Sequence, residues 1–195
     1  MRNRSGVHNV SSLNIWERPN IRLRALEPED LERYQSFDED SEMARSGWWI
    51  PFPRSSYAGK QWIEKAALKD GQNDAFRFTI EAKDHGVVGS INTRSCERRN
   101  GTFKYGIAIG RNYWGQGYAK EAIRLVLRYY FEELRYQKVT VHIYAFNERS
   151  IKLHESLGFQ HEGRLRRMIY TGGQYHDEIL MGLTKEEFEE QNTRV

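Results

Sequence analysis

Residues Gly101–Leu134, GTFKYGIAIGRNYWGQGYAKEAIRLVLRYYFEEL, change hydrophobic period part-way along, and that change sets the fold. Phe103-Lys104-Tyr105-Gly106-Ile107-Ala108-Ile109 is a β-favouring run short enough to be one strand. The turn Gly110–Gly117 follows, rich in residues that accept positive φ. Beyond it, Ala119, Ala122, Ile123, Val126, Tyr130 and Leu134 recur at helical spacing and form one apolar stripe. Lys120, Glu121, Arg124, Arg128, Glu132 and Glu133 take the other faces. The unit is strand, glycine-containing turn, helix.

Such a unit can hold a phosphate. The first N–H groups of a helix have no partner within it, and the macrodipole adds positive potential there. Glycines just ahead of the helix let an anion approach those amides closely. Gly115, Gly117 and Ala119, with Lys120 behind them, suit a pyrophosphate. A tight βα turn without a ligand is the other reading of the same glycines. The spacing matches neither the Walker sequence nor the dinucleotide fingerprint G-x-G-x-x-G.

Trp114-Gly115-Gln116-Gly117-Tyr118-Ala119 resembles the acetyl-CoA pyrophosphate loop of the GCN5-related N-acetyltransferases (GNAT), written Q/R-x-x-G-x-G/A. Trp114 replaces the first Gln/Arg, as in the branch holding ribosomal-protein N-terminal and spermidine acetyltransferases. Further on, Asn147-Glu148-Arg149-Ser150 and Leu153-His154-Glu155-Ser156-Leu157-Gly158-Phe159 resemble the family's N-x-x-S…L-Y-E-x-x-G-F. The resemblance runs from about Ile21 to Leu183, with both motifs in family order and spacing. It implies an α/β (α+β) fold, a mixed and mostly antiparallel sheet of about seven strands with helices on both faces and splayed central strands. Residues 1–20 are expected to be an N-terminal arm, 21–184 one acetyltransferase domain and 185–195 a C-terminal tail.

By the same resemblance, acetyl-CoA is the co-substrate and no metal takes part. Ile107, Ala108 and Ile109 would pair with the pantetheine, and Trp114, Gly115, Gln116, Gly117, Tyr118, Ala119 and Lys120 would hold the diphosphate. Asn147 and Ser150 would support the cofactor from the short helix. His154 stands where the family carries its tyrosine proton donor, so His154 is the candidate general acid, with Ser150 and Tyr105 as further catalytic candidates. The family's Glu-x-Gly glutamate slot holds Lys104, which leaves the general base open, with Glu81 a candidate or a surface charge.

The acceptor is expected to be a primary amine, either a protein N-terminal α-amine or a polyamine or other small amine. Its pocket is expected to draw on Asp38–Phe52 and on the hairpin Tyr170–Tyr175, because acids beside aromatics suit a cationic amine. Lys104 and His154 also fit a catalytically weak acyl-CoA-binding regulator, and the glycines alone fit a nucleotide-phosphate enzyme. Asp177 matches an acidic position after the hairpin, where a structural role is expected.

Composition narrows the classes further. One hundred and ninety-five residues, 38% hydrophobic and 29% charged, suit one globular domain. A net charge of +3 with Lys and Arg interleaved among acids argues against nucleic acid, and Arg164–Arg167 reads as a solvated strand edge or a cofactor rim. Cys96 is the only cysteine, so no intramolecular disulfide forms, and a packed thiol in a reducing compartment is expected. No long apolar run or signal-peptide core occurs, which leads to the expectation of a cytoplasmic protein without membrane contact. A homodimer is left open.

Overall fold

The computed structural model describes residues 14–47, 50–69 and 71–193. Residues 1–13 of the expected arm, and 48 and 49 of the stretch expected to line the acceptor pocket, lie outside the described residues. Seven strands form one sheet: β1 (Ile21–Arg24), β2 (Arg77–Ala82), β3 (Gly86–Glu97), β4 (Thr102–Ile109), β5 (Lys138–Tyr144), β6 (Gln160–Thr171) and β7 (Gln174–Thr184). Their order is β1-β2-β3-β4-β5-β7-β6. Every pairing is antiparallel except β4 with β5.

The parallel pair positions the site. β4 and β5 pair only at Thr102↔Lys138, Phe103↔Val139 and Lys104↔Thr140. Beyond Lys104 the strands part, so Tyr105–Ile109 loses its neighbour on that side while keeping β3 on the other. A sheet edge is thereby opened inside the molecule, with backbone groups available to a third chain-like partner.

Helices cover both faces, as the resemblance implies. On one face α4 (Tyr118–Arg128) buries Ala122, Ile123, Leu125, Val126 and Leu127 against Ile21, Phe78, Ile80, Ile91 and Val139. The stripe expected at Ala119–Leu134 is thus present but wider, since Leu125 and Leu127 are buried too. The helix then loosens into a π-turn, Tyr129–Glu133, where the Tyr130 ring stacks on Phe103 with centroids 4.3 Å apart.

On the opposite face lie α1 (Leu31–Asp38), α2 (Ser41–Gly47) and α3 (Ser56–Ala67), with Leu26, Tyr34 and Ile63 as a second small core. Asp30, 6% exposed, anchors the start of α1 by accepting two 2.8 Å bonds from Arg24. That pairing offsets the cost of burying the carboxylate. α5 (Glu148–Glu155) follows β5, and Asn147 caps it by accepting from the Ser150 N–H at 3.1 Å.

The described residues towards either end carry structure. Lys185–Thr193, expected as a tail, forms helix α6, and its Phe188 packs on Phe131 at 5.5 Å between centroids. In the expected arm, Trp16 packs between Phe78 and Tyr129, at 4.8 and 4.5 Å. Among the described residues no helix is long and apolar enough to cross a membrane.

Candidate active site

The glycine turn joins the end of β4 to the start of α4. Gly115 and Gly117 have φ of +78° and +83°, a region that costs an L side chain about 1–2 kcal/mol. A Cβ built on either would meet nothing within 4 Å, so the space in front of this backbone is open. Gly117 is the N-cap of α4 and offers no side-chain cap to the first helical amides. Open space, uncapped amides and a helix dipole together make a cradle that fits a diphosphate.

Trp114 braces this turn. Its indole Nε1–H donates to the Ile109 carbonyl at 2.7 Å, and the Arg149 guanidinium lies 3.3 Å from the ring centroid. The tryptophan therefore clamps the end of β4 to the start of α5. Gln116 points its amide at the Asn112 carbonyl (3.3 Å), Tyr118 is buried, and Ala119 and Lys120 are half-buried.

A cleft of about 430 Å³ opens where β4 and β5 part. Tyr105, Ile107 and Ala108 line it from β4, Val141–Tyr144 from β5, and Ser150 and His154 from α5. Ile109 is buried and does not line the cleft. Asn147 reaches the cleft, but its side chain is committed within the protein. Its amide donates to the Ser46 carbonyl at 2.7 Å while its oxygen caps α5, so Asn147 fastens α2 to α5 instead of offering a free ligand group.

His154, expected as the general acid, is buried beside Tyr105. It is 2% exposed, and its Nδ1 lies 2.7 Å from the Ser150 carbonyl, an atom that can only accept. Nδ1 therefore carries the proton and Nε2 is a bare acceptor, buried without a partner among the described residues. Burial pushes the imidazole down to about 4 against the small upward pull of the Ser150 carbonyl. Burial thus disfavours the imidazolium that a general acid would need. The Ser150 hydroxyl is only 3.4 Å from Nδ1, a marginal contact.

Tyr105 stands against His154. Its hydroxyl is buried, has no partner among the described residues and is held protonated, because burial raises the phenol well above its usual range. The acceptor side brings in a residue that the sequence reading missed, His142. Its Nε2 is 2.9 Å from Lys104 Nζ and its Nδ1 is 3.0 Å from Glu178 Oε2. Strict alternation along Lys138–Tyr144 was the available signal, since it sends Thr140, His142 and Tyr144 to one face.

The other acids lie elsewhere. Glu81 is tied to Arg22 and to Arg24 (3.1 Å), and it does not line the cleft. Asp40 and Glu42 are both taken by Arg111, at 2.8 Å each, which holds Asp40 down at about 2. Of the acidic stretch only Asp38 lines the cleft, and partial burial raises its carboxyl. The hairpin tyrosines Tyr170 and Tyr175 pair with each other and are exposed, outside the cleft lining. Asp177 accepts from Arg164 (2.6 Å) and from the Arg167 N–H (2.9 Å), pinning an irregular stretch of β6.

Comparison with known proteins agrees with this geometry. Residues 20–160 match the family model described as the acetyltransferase (GNAT) domain. The chain is 45% identical over 178 residues to the SPbeta prophage-derived uncharacterized N-acetyltransferase YokL of Bacillus subtilis (strain 168), covering 91% of this chain and 97% of that one. It is 26% identical to the spermidine N(1)-acetyltransferase of Escherichia coli (strain K12), covering 86% and 88%. The fold superposes on a crystal structure of spermidine N-acetyltransferase from Vibrio cholerae in complex with CoA and spermine, with a TM-score of 0.74 at 24% identity over 87% and 98% of the two chains. With its split sheet, glycine cradle and matched domain, the chain belongs to the GNAT family of acetyltransferases.

Proposed function

We propose that the protein transfers the acetyl group of acetyl-CoA to the α-amine of a protein or peptide N-terminus. The carrying observation is the parting of β4 from β5 at Lys104, on the strand that runs directly into the open turn at Gly115 and Gly117. When bound, acetyl-CoA supplies a thioester carbonyl and a thiolate leaving group.

Each task falls to a group of this chain. The amides from Gly115 to Ala119 receive the diphosphate, aided by the α4 dipole. The free edge Tyr105–Ile109 pairs with the pantetheine amides as it would with a strand. A backbone N–H near Ile107–Ile109 faces the oxygen on which charge develops. The Tyr105 hydroxyl gives its proton to the departing sulfur. An alkyl amine has a pKa near 10.4, so it needs help to shed a proton at neutrality. The incoming amine displaces Lys104 Nζ from His142 Nε2, which then takes that proton, with Glu178 holding the Nδ1–H.

A polyamine acceptor is the second reading, favoured by Asp38 at the cleft wall. Thiol release from acetyl-CoA, measured with N-terminal peptides, spermidine and neutral amines, tests both. Release with peptides above all other amines supports the α-amine. Release with spermidine alone replaces it with the polyamine. Release with none removes the catalytic reading.

A further inference from the structure

The acceptor side of the cleft is cationic. Arg54, Arg77 and Arg94 line it, against the single carboxylate of Asp38. Asp38 lies 3.9 Å from Arg54 and also feels the charge of Arg77, so one acid serves two guanidinium groups that share the Trp62 ring at 5.1 and 6.0 Å. Arg94 sits directly opposite Lys104 in the β3–β4 register, an arrangement of like charges that destabilises a sheet. Lys104 is balanced through His142 by Glu178. Among the described residues, neither Arg77 nor Arg94 has a carboxylate within 4.0 Å.

The register also fixes the distance to the chemistry. Arg77 faces Asn92, which faces Gly106, and Arg94 lies two residues further along β3. Strands stand about 4.8 Å apart, so the two arginines start one and two spacings from the free edge of β4. A guanidinium lining the cleft binds a carboxylate through two parallel N–H bonds. A polyamine would instead bring further ammonium groups against three arginines.

Resting on the acetyl-transfer reading above, we propose that the acceptor amine carries a carboxylate close to its nitrogen and that Arg77 and Arg94 hold it. The carboxylate belongs either to a free α-amino acid or to an acidic residue at a peptide's N-terminus. Calorimetric titration of the full chain with CoA present separates these sources: alanine against alaninamide, a peptide beginning with Asp against one beginning with Asn, and spermidine. At least a tenfold preference for the carboxylate in one pair is expected (about 1.4 kcal/mol), and that pair names the source. Arg77→Gln and Arg94→Gln should each cut the preference to about threefold or less, while Arg77→Lys, which keeps charge but loses the fork, should fall between. Equal affinity within both pairs, or spermidine binding more tightly than every carboxylate, overturns the proposal. Thiol release on the same panel keeps the two readings apart, because a carboxylate preference without turnover sinks acetyl transfer and leaves the anion site standing.

Discussion

The imidazole of His154 lies nearly parallel to the phenol of Tyr105, with centroids 5.8 Å and planes 24° apart, and each ring ends in a buried polar atom without a partner among the described residues. An unpartnered buried hydroxyl costs about 1–3 kcal/mol, so its retention beside the cleft calls for a use. Tyr105→Phe is therefore expected to lower kcat for acetyl transfer by roughly a hundredfold or more, the range of general acid catalysis. The variant should unfold at the same temperature as the parent or a higher one. A matching fall in thermal midpoint and activity would assign Tyr105 to packing alone.

His154 makes stability depend on pH. Its folded value of about 4 lies below the ordinary histidine value of about 6.5, so the unfolded chain binds the proton more readily. Stability should be full above pH 6.5 and fall by about 3 kcal/mol as pH drops from 6.5 towards 4. Denaturation at several pH values should show this slope, and His154→Leu should flatten it. An equal slope in both proteins would mean that other groups cause it.

His142→Asn tests the route for the amine proton. The loss of kcat should be large at pH 7 and shrink towards pH 9–10, where more of the amine is already neutral. A loss independent of pH would make His142 a structural link between Lys104 and Glu178.

Gly117→Ala should cost about 1 kcal/mol in stability, from the left-handed backbone, without a steric clash. Its CoA affinity should fall by about tenfold, because the added methyl fills the approach to the amides. Unchanged affinity would place the diphosphate elsewhere.

The strand–turn–helix around Gly101–Leu134 was legible because its hydrophobic period changes once and its glycines sit where the backbone needs positive φ. Helix α2 was not, since it buries none of its residues and so carries no apolar stripe. β6 gave little signal for a related reason: nearly all its residues are exposed, which erases the alternation that marks a half-buried strand. At α6 one apolar anchor, Phe188, stands in an acidic run that reads as a tail. The position of His154 was readable from its motif, but its neutral state depends on burial by Phe159 within that motif and by Tyr105, far away in sequence. The pairing of Arg111 with Asp40, 71 residues apart, and with Glu42 was likewise invisible, and it ties up two of the acids that had suggested a cationic acceptor.

The claim on which all of this rests is that the bare amides at Gly115–Ala119 hold the diphosphate of CoA. Calorimetric titration with CoA and with pantetheine, which lacks that diphosphate, tests it most directly. The account predicts saturable CoA binding and pantetheine weaker by tenfold or more, about 1.4 kcal/mol. Equal affinity for the two, or no saturable CoA binding, would contradict it.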